Sequence, residues 1–149
     1  MKQYGNRTLG AMRILIIGAG GVGSSAALIA ARRDFYAHIV IADYDLARAT
    51  QLVERIADPR FSAAQIDASQ TQGVAAACRE HEITHVLNAV DPRYVMDIFE
   101  GAFEAGVTYL DTAMSLSSTH PEHPYEQVGV KLGDDQFARA ADWEEKGQL

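Results

Sequence analysis

The stretch MRILIIGAGGVGSSAALIAARRD, residues 12–34, decides the fold of this chain. It places a short hydrophobic run ahead of Gly18, Gly20 and Gly23, and an uncharged segment of small residues follows. The hydrophobic run predicts a β-strand, and the small-residue segment predicts a helix that packs closely on a sheet. Asp43 comes twenty residues after Gly23, at the predicted end of the next strand.

Each glycine of this stretch has a separate physical role in holding a dinucleotide. Gly18 lets the chain turn sharply, Gly20 lets the backbone approach a pyrophosphate, and Gly23 lets the helix lie close to the sheet. The N–H groups and the positive dipole end of that helix favour an anion. A carboxylate at Asp43 would accept hydrogen bonds from the ribose hydroxyls. The pattern predicts dinucleotide binding; a tight glycine turn without a ligand is the alternative.

The rest of the chain repeats the strand–helix unit. Strands are predicted at 13–17, 38–42, 61–66, 84–89 and 107–110, and helices at 21–33, 46–57, 70–81 and 93–105. Repeated βα units with right-handed crossovers build a parallel sheet with helices on both faces. We therefore predict an α/β fold, a doubly wound Rossmann sheet of order 3-2-1-4-5 in a single domain.

The predicted domain covers residues 12–149, and residues 1–11 are predicted to be a polar N-terminal extension. Residues 111–133 show no clear period, and a last helix is predicted at 134–146, with Phe137 and Trp143 as packing anchors. Three local signals mark the helix ends. They are a capping box formed by Ser69 and Gln72, an N-cap at Asp91-Pro92, and a terminating glycine at Gly106.

Composition excludes several classes of protein. The net charge is −7 and no cluster of Lys or Arg stands out, so a nucleic-acid partner is not expected. The uncharged residues 14–31 are interrupted by glycines and serines, which favours a strand and helix over a membrane span. The single cysteine, Cys78, suits a reducing compartment and a place in the core. We expect a cytoplasmic protein.

The cofactor type depends on two residues near the end of the second predicted strand. Asp45 is well placed to cap the next helix, which leaves Asp43 free for the ribose. A carboxylate there repels a 2′-phosphate, so NAD is predicted and NADP is less favoured. Arg48, one helical turn later, supports NADP as the alternative, because an arginine could pair with the 2′-phosphate.

Other polar residues follow the later predicted strands. Asp67 is predicted to lie near the adenine, with a plain turn residue as the alternative. Asn88, Ala89, Val90 and Asp91 end the fourth predicted strand at the switch point of the sheet, where ligands collect. Asp111 closes the fifth predicted strand on the same edge, where it could contact the nicotinamide half or the substrate. The hydroxyls of Ser24 and Ser25 are candidates to assist phosphate binding. No metal site is predicted, because His120 and His123 lie in a proline-interrupted loop without further ligands.

These residues resemble a known family. The segments MRILIIGAGGVGSSAALIAARRD, HIVIADYD and ITHVLNAVDPRYVMDIFEGAFEAGVTYLDTA are similar to the N-terminal NAD(P)-binding domain of saccharopine dehydrogenase-like proteins. The resemblance implies that the cofactor is bound by Gly18, Gly20, Gly21, Val22, Gly23, Asp43, Asn88, Ala89 and Val90. Members of this family continue into a large domain that supplies most of the substrate site, and this substrate domain is expected to be absent from the chain.

The resemblance implies an NAD(P)-dependent oxidoreductase that acts on the C–N bond of a small amino-acid type substrate. We expect the chain alone to bind cofactor without turnover, and no catalytic residue is predicted, although Asp111 is the best candidate. A homodimer stays open as the oligomeric state. The alternative function is a nucleotide-sensing regulatory Rossmann module of the potassium-transport regulator type, which a tethered channel or an effector-driven oligomer switch would indicate.

Overall fold

Five short strands form the sheet: β1 (Arg13–Ile17), β2 (His38–Asp43), β3 (Phe61–Gln65), β4 (His85–Asn88) and β5 (Thr108–Asp111). The computed structural model describes residues 12–148, so the predicted extension at residues 1–11 lies outside the described residues. All strand pairs are parallel, and their order is β3-β2-β1-β4-β5. The predicted doubly wound α/β sheet is confirmed, and every strand boundary lies within one residue of its prediction.

Helices lie between and after the strands. They are α1 (Gly21–Ala30), α2 (Leu46–Ile56), α3 (Thr71–Glu80), α4 (Val95–Ala105), α5 (Asp134–Phe137) and α6 (Ala140–Lys146), and a 3-10 turn (Pro92–Tyr94) precedes α4. Helix α1 ends three residues earlier than predicted. The carbonyl groups at this end of the helix accept hydrogen bonds from side chains of other segments. The Ala30 carbonyl accepts from the Tyr36 hydroxyl at 2.9 Å, and the Ala31 carbonyl accepts from the Arg60 guanidinium at 3.2 Å.

The alternating residues of the sheet separate two hydrophobic cores. Leu15, Val40 and Val86 face the core beneath α3 and α4, whereas Ile16 and Ile39 face the core beneath α1 and α2. These side chains are at most 2% exposed, as expected for strands that are covered on both faces. Cys78 belongs to the first core, and burial raises the pKa of its thiol to about 11. The predicted core position of this cysteine is confirmed.

Two of the three predicted helix-end signals are confirmed. The Asp91 side chain accepts the Arg93 N–H at 2.9 Å, although it caps the 3-10 turn rather than α4 directly. Gly106 ends α4 in the left-handed conformation, with φ of 76°. Both helix-end signals depend only on local backbone geometry, so the sequence pattern was sufficient to predict them.

The predicted capping box at Ser69 and Gln72 is wrong. Gln70 is the N-cap of α3, and its side chain makes no capping hydrogen bond. The Ser69 hydroxyl donates to Asp67 at 2.7 Å, and the Gln72 amide donates to Glu104 at 2.9 Å. Both side chains therefore have other partners, one in the preceding turn and one on α4.

The C-terminal segment differs from its prediction. The expected single helix is divided into α5 and α6, which are separated by Ala138 and Arg139. Trp143 is 5% exposed and packs on Phe99, with 4.7 Å between the ring centroids, but Phe137 is 64% exposed. Only one of the two predicted anchors is therefore confirmed. Residues 112–133 are irregular apart from short turns and one bridge between Ser118 and Val130.

Candidate functional site

A cavity of about 540 Å³ lies at the carboxyl ends of β1, β2 and β4. This is where parallel sheets of this order bind ligands, because the chain crosses from one face to the other at β1 and β4. The residues that line it are Ile17, Gly18, Gly20, Asp43, Tyr44, Arg48, Ile66, Asp67, Ala68, Ser69, Ala89, Val90, Asp91 and Tyr94. Its volume falls within the range of small-molecule sites.

The three glycines of the first turn meet different surroundings. Gly18 has φ of 108°, and a Cβ there would lie 2.7 Å from the Ala89 carbonyl oxygen. A Cβ on Gly23 would overlap the Gly18 carbonyl oxygen. A Cβ on Gly20, in contrast, would meet only the Arg48 guanidinium, at 3.9 Å. The fold itself requires Gly18 and Gly23, whereas the space beside Gly20 is open to the cavity.

The start of α1 presents unpaired backbone donors beside this open space. Gly20 is the N-cap, and no side chain caps the helix. Gly21 has open space around its Cβ position, and Val22 is 52% exposed. Gly21, Val22 and Gly23 are not among the residues that line the cavity. These residues can therefore contact a ligand there only through their backbone N–H groups.

The serine hydroxyls of this first turn are already committed as donors. Ser24 Oγ donates to the Ala19 carbonyl at 3.0 Å, and Ser25 Oγ donates to the Gly21 carbonyl at 2.8 Å. Each hydroxyl has a single hydrogen to donate. These contacts argue against the suggestion that the two hydroxyls assist phosphate binding, and they show side chains that brace the glycine turn.

Asp43 lies at the cavity as predicted, but it is not free. Its Oδ2 accepts the Ala19 N–H at 2.8 Å and its Oδ1 accepts the Asp45 N–H at 3.0 Å. Asp45 caps α2 through the Ala47 N–H at 2.9 Å, as predicted. The expectation that the Asp45 cap would leave Asp43 unengaged is therefore wrong, because Asp43 connects the glycine turn to the start of α2.

The wall opposite the glycines is built by the turn after β3. Asp67 accepts both the N–H and the hydroxyl of Ser69, at 3.0 and 2.7 Å. These hydrogen bonds lower the pKa of the Asp67 carboxyl, which keeps it ionised at neutral pH. Asp67 is thus a turn residue and also lines the cavity, so the two interpretations of it are compatible. Sequence reasoning missed Tyr44 and Tyr94, which border the same cavity.

The residues at the end of β4 lie on opposite sides of the cavity wall. Ala89 and Val90 line the cavity, but Asn88 is 2% exposed and turns away from it. Its amide donates to the Tyr109 hydroxyl at 2.9 Å, and its side-chain oxygen accepts the Val90 N–H at 3.1 Å. Asn88 therefore supports the cavity wall from behind rather than forming its surface.

A hydrogen-bonded chain continues from Asn88 into the C-terminal segment. The Tyr109 hydroxyl donates to Asp111 at 3.0 Å, and Gln136 donates to the same carboxylate oxygen at 2.9 Å. Burial is the main cause that raises the pKa of Tyr109, so this hydroxyl stays protonated. Asp111 is thus engaged within the protein, and the structure does not bring it to the cavity wall.

The remaining candidates lie elsewhere. His120 and His123 stack with ring centroids 5.7 Å apart, and the His120 ring accepts the His123 N–H at 3.0 Å. Within residues 12–148 no three His, Cys, Asp or Glu side chains are grouped to hold a metal ion. No helix in this described range is long and apolar enough to cross a membrane.

The comparisons with known proteins agree with this geometry. Residues 14–149 match the model of the family described as the saccharopine dehydrogenase NADP binding domain. The chain belongs to this family. The resemblance carried by the glycine turn and by the residues around Asn88 and Asp111 is confirmed.

Two curated relatives extend the match. The chain is 31% identical over 101 residues to carboxyaminopropylagmatine dehydrogenase of Synechocystis sp., which covers 68% of this chain and 25% of that protein. It is 32% identical over 114 residues to carboxynorspermidine synthase of Vibrio cholerae serotype O1, covering 70% and 28%. The chain therefore spans about a quarter of the length of these relatives.

Solved structures confirm the fold. The apo saccharopine dehydrogenase (L-Glu forming) of Saccharomyces cerevisiae superposes with a TM-score of 0.59 at 15% identity, over 74% of this chain and 23% of that one. A short chain dehydrogenase from Mycobacterium smegmatis gives 0.66 at 19% identity, over 94% and 73%. Identities this low support the Rossmann-like architecture alone.

The family description corrects the predicted cofactor preference. It names NADP, which contradicts the prediction of NAD over NADP; a nicotinamide dinucleotide is what the comparison supports. The prediction assumed that a free carboxylate at Asp43 repels a 2′-phosphate. In the structure that carboxylate accepts two backbone N–H groups, and the Arg48 guanidinium lies beside the glycine turn.

Proposed function

We propose that this chain is the NADP(H)-binding part of an oxidoreductase that acts on the C–N bond of a small amino-acid type substrate. One observation carries the proposal. The open side of Gly20 and the uncapped start of α1 face a cavity at the carboxyl ends of β1, β2 and β4. Family membership and the dehydrogenase name of the Synechocystis relative support the same function.

The residues that line the cavity support one arrangement of the dinucleotide along the sheet edge. The pyrophosphate would lie against Gly20, where the absence of a Cβ leaves room. Its oxygens would accept hydrogen bonds from the backbone N–H groups of Gly21, Val22 and Gly23 at the start of α1. The adenosine ribose would lie beside Asp43, and the adenine beside Asp67. Ala89 and Val90 would line the path toward the nicotinamide, with Asn88 supporting them.

The division of chemical work follows from this arrangement. A bound nicotinamide supplies or accepts the hydride, whereas the protein binds, orients and excludes water. The relatives are named for carboxyaminopropylagmatine and carboxynorspermidine. These names support an amine-bearing substrate that also carries a carboxylate.

We further propose that the 149-residue chain binds cofactor without turnover. Hydride transfer needs substrate and nicotinamide held in contact, and the cavity is lined at the nicotinamide end by Ala89 and Val90, which offer no side chain that could transfer a proton. Asp111, the best candidate for a proton acceptor, is occupied by Tyr109 and Gln136. A cytoplasmic location and a homodimer stay predictions.

Titration calorimetry with NADPH, NADP⁺ and NADH tests the binding proposal. We expect binding of NADPH or NADP⁺ by the folded chain and its loss in Gly20→Val, whose side chain fills the space beside the turn. If the folded chain binds none of the three at millimolar concentration, the proposal is wrong.

A second measurement tests the absence of turnover. The chain is incubated with NADP⁺ and saccharopine or lysine while the absorbance of reduced nicotinamide is followed. We expect no steady signal. Turnover that scales with protein concentration and disappears in Gly20→Val would show that the chain is catalytic by itself.

A further inference from the structure

A directed chain of hydrogen bonds runs behind the cavity wall. The Val90 N–H donates to the Asn88 side-chain oxygen at 3.1 Å, and the Asn88 amide donates to the Tyr109 hydroxyl at 2.9 Å. That hydroxyl in turn donates to Asp111 at 3.0 Å. Every donor points along the chain towards the carboxylate, so the negative charge strengthens the bonds that lead to it. The backbone of the wall is thereby linked to one anionic acceptor on β5.

Gln136, on α5, holds this acceptor from the other side. Its Nε2 donates to the same Asp111 oxygen as Tyr109, at 2.9 Å, and its Oε1 accepts the Ser115 N–H at 2.8 Å. Both ends of the amide are engaged, which fixes its orientation. Asp111 is half-buried at the end of β5, and the contact from α5 restricts the rotation of its carboxylate. Sequence reasoning missed Gln136.

The chain of hydrogen bonds ends at the part of the wall that adjoins the glycine turn. Val90 lines the cavity, and its Cγ1 is 2.9 Å from the Cβ position of Gly18. In the proposed arrangement Ala89 and Val90 border the path to the nicotinamide, whereas the adenosine lies at the other end, beside Asp43. A shift of the Val90 backbone would therefore change the contact with the nicotinamide and leave the adenosine end as it is.

We infer that Gln136 is a positioning residue for the nicotinamide end of the cofactor site. It does not line the cavity; it holds Asp111 where the Tyr109 hydroxyl can reach it. Tyr109 in turn holds the Asn88 amide, which fixes the Val90 backbone. The inference rests on the proposed function, and it makes the cofactor site depend on a helix of the C-terminal segment.

Titration calorimetry with NADP⁺ and with 2′-phospho-ADP-ribose, which is NADP⁺ without its nicotinamide ring, tests the inference. We expect Gln136→Ala to weaken NADP⁺ binding by about threefold to tenfold and 2′-phospho-ADP-ribose binding by less than about twofold, because only the nicotinamide end loses its support. Tyr109→Phe should give the same selective loss, since it removes the hydroxyl and keeps the ring, which packs edge-on against Phe99 with 5.3 Å between centroids. The double variant should lose no more than the larger of the single losses, because both residues act through Asp111.

Gln72→Ala is the matched control. Gln72 also donates its amide to a carboxylate on another helix, that of Glu104 at 2.9 Å, but neither residue lines the cavity. This variant should bind both ligands like the wild type. Circular dichroism checks that each variant is folded, and Tyr109→Phe decides the inference if Gln136→Ala does not fold.

Different results would overturn the inference. Equal losses of affinity for the two ligands in Gln136→Ala would indicate a general destabilisation, and unchanged NADP⁺ binding would show that α5 does not support the wall. Equal affinity of the wild-type chain for the two ligands would show that the wall does not contact the nicotinamide. If the wild type binds neither ligand, the proposed function itself fails.

Discussion

Gly18, Gly20 and Gly23 belong to one motif but have different physical reasons to be glycine. Gly18 needs a positive φ, and Gly23 needs room for the carbonyl of Gly18. Gly20 needs neither within the protein, since the nearest atom to its Cβ position is 3.9 Å away. The fold therefore does not require glycine at this position, which supports the proposed position of the pyrophosphate.

Alanine at these positions should separate folding from binding. Gly23→Ala should lower the free energy of unfolding by about 1–3 kcal/mol, because its Cβ overlaps the turn. Gly20→Ala should leave stability nearly unchanged and weaken NADPH binding. Urea unfolding and calorimetry measure the two effects, and normal NADPH affinity in Gly20→Ala would contradict the placement of the pyrophosphate.

Asp43 stabilises the fold even without a bound ligand. Because it accepts the N–H groups of Ala19 and Asp45, Asp43→Ala should destabilise the nucleotide-free protein by about 1–2 kcal/mol. Asp43→Asn, which keeps one acceptor oxygen, should recover part of that loss. Thermal unfolding without nucleotide provides the measurement. Unchanged stability in Asp43→Ala would mean that the carboxylate acts on the ribose alone.

At the scale of elements, α3 and α4 pack closely against each other at Gly101. A Cβ on Gly101 in α4 would lie 2.8 Å from both the Thr71 carbonyl oxygen and the Val74 side chain. Gly101 is buried, and it allows the two helices to approach more closely than any larger residue would permit. This packing fixes α3, and with it the turn at Asp67 that forms one wall of the cavity.

Two glycine-to-alanine changes test this packing. Gly101→Ala should cost about 1–3 kcal/mol through overpacking. Gly73→Ala, on α3, is the matched control, since its Cβ would meet Gln70 at an ordinary 3.5 Å. Alanine there should stabilise the protein by about 0.5–1 kcal/mol through its helix propensity. Equal effects of the two changes in urea unfolding would contradict the proposed difference in helix contact.

At the scale of the whole molecule, the C-terminal segment packs on the hydrophobic core beside β5. Trp143 on α6 packs against Phe99, Phe103 and Tyr109, with ring centroids 4.7, 5.4 and 6.3 Å away. Gln136 on α5 reaches Asp111, which is linked through Tyr109 to Asn88 behind the cavity wall. The last helices are therefore integrated with the sheet and contact the support of the site.

Replacing the two aromatic residues of this segment should give unequal results. Trp143→Ala should destabilise the protein by about 3–5 kcal/mol, as expected for a buried large aromatic residue. Phe137→Ala, on the neighbouring helix, should change stability by less than about 0.5 kcal/mol, because its side chain is mostly exposed. Chemical denaturation measures both, and similar losses would show that α5 is as firmly packed as α6.

The sequence by itself determined the strands, the glycine turn and the caps at Asp45, Asp91 and Gly106, because these depend on local periodicity and backbone conformation. Tertiary structure decided the rest. The donors to Asp43, the partner of Gln72 on α4 and the division of the last helix all involve contacts that no local pattern specifies. The same holds for Arg48, whose guanidinium on α2 lies beside Gly20 at the start of α1. Side chains far apart in sequence acquire their partners only when the sheet and its helices assemble.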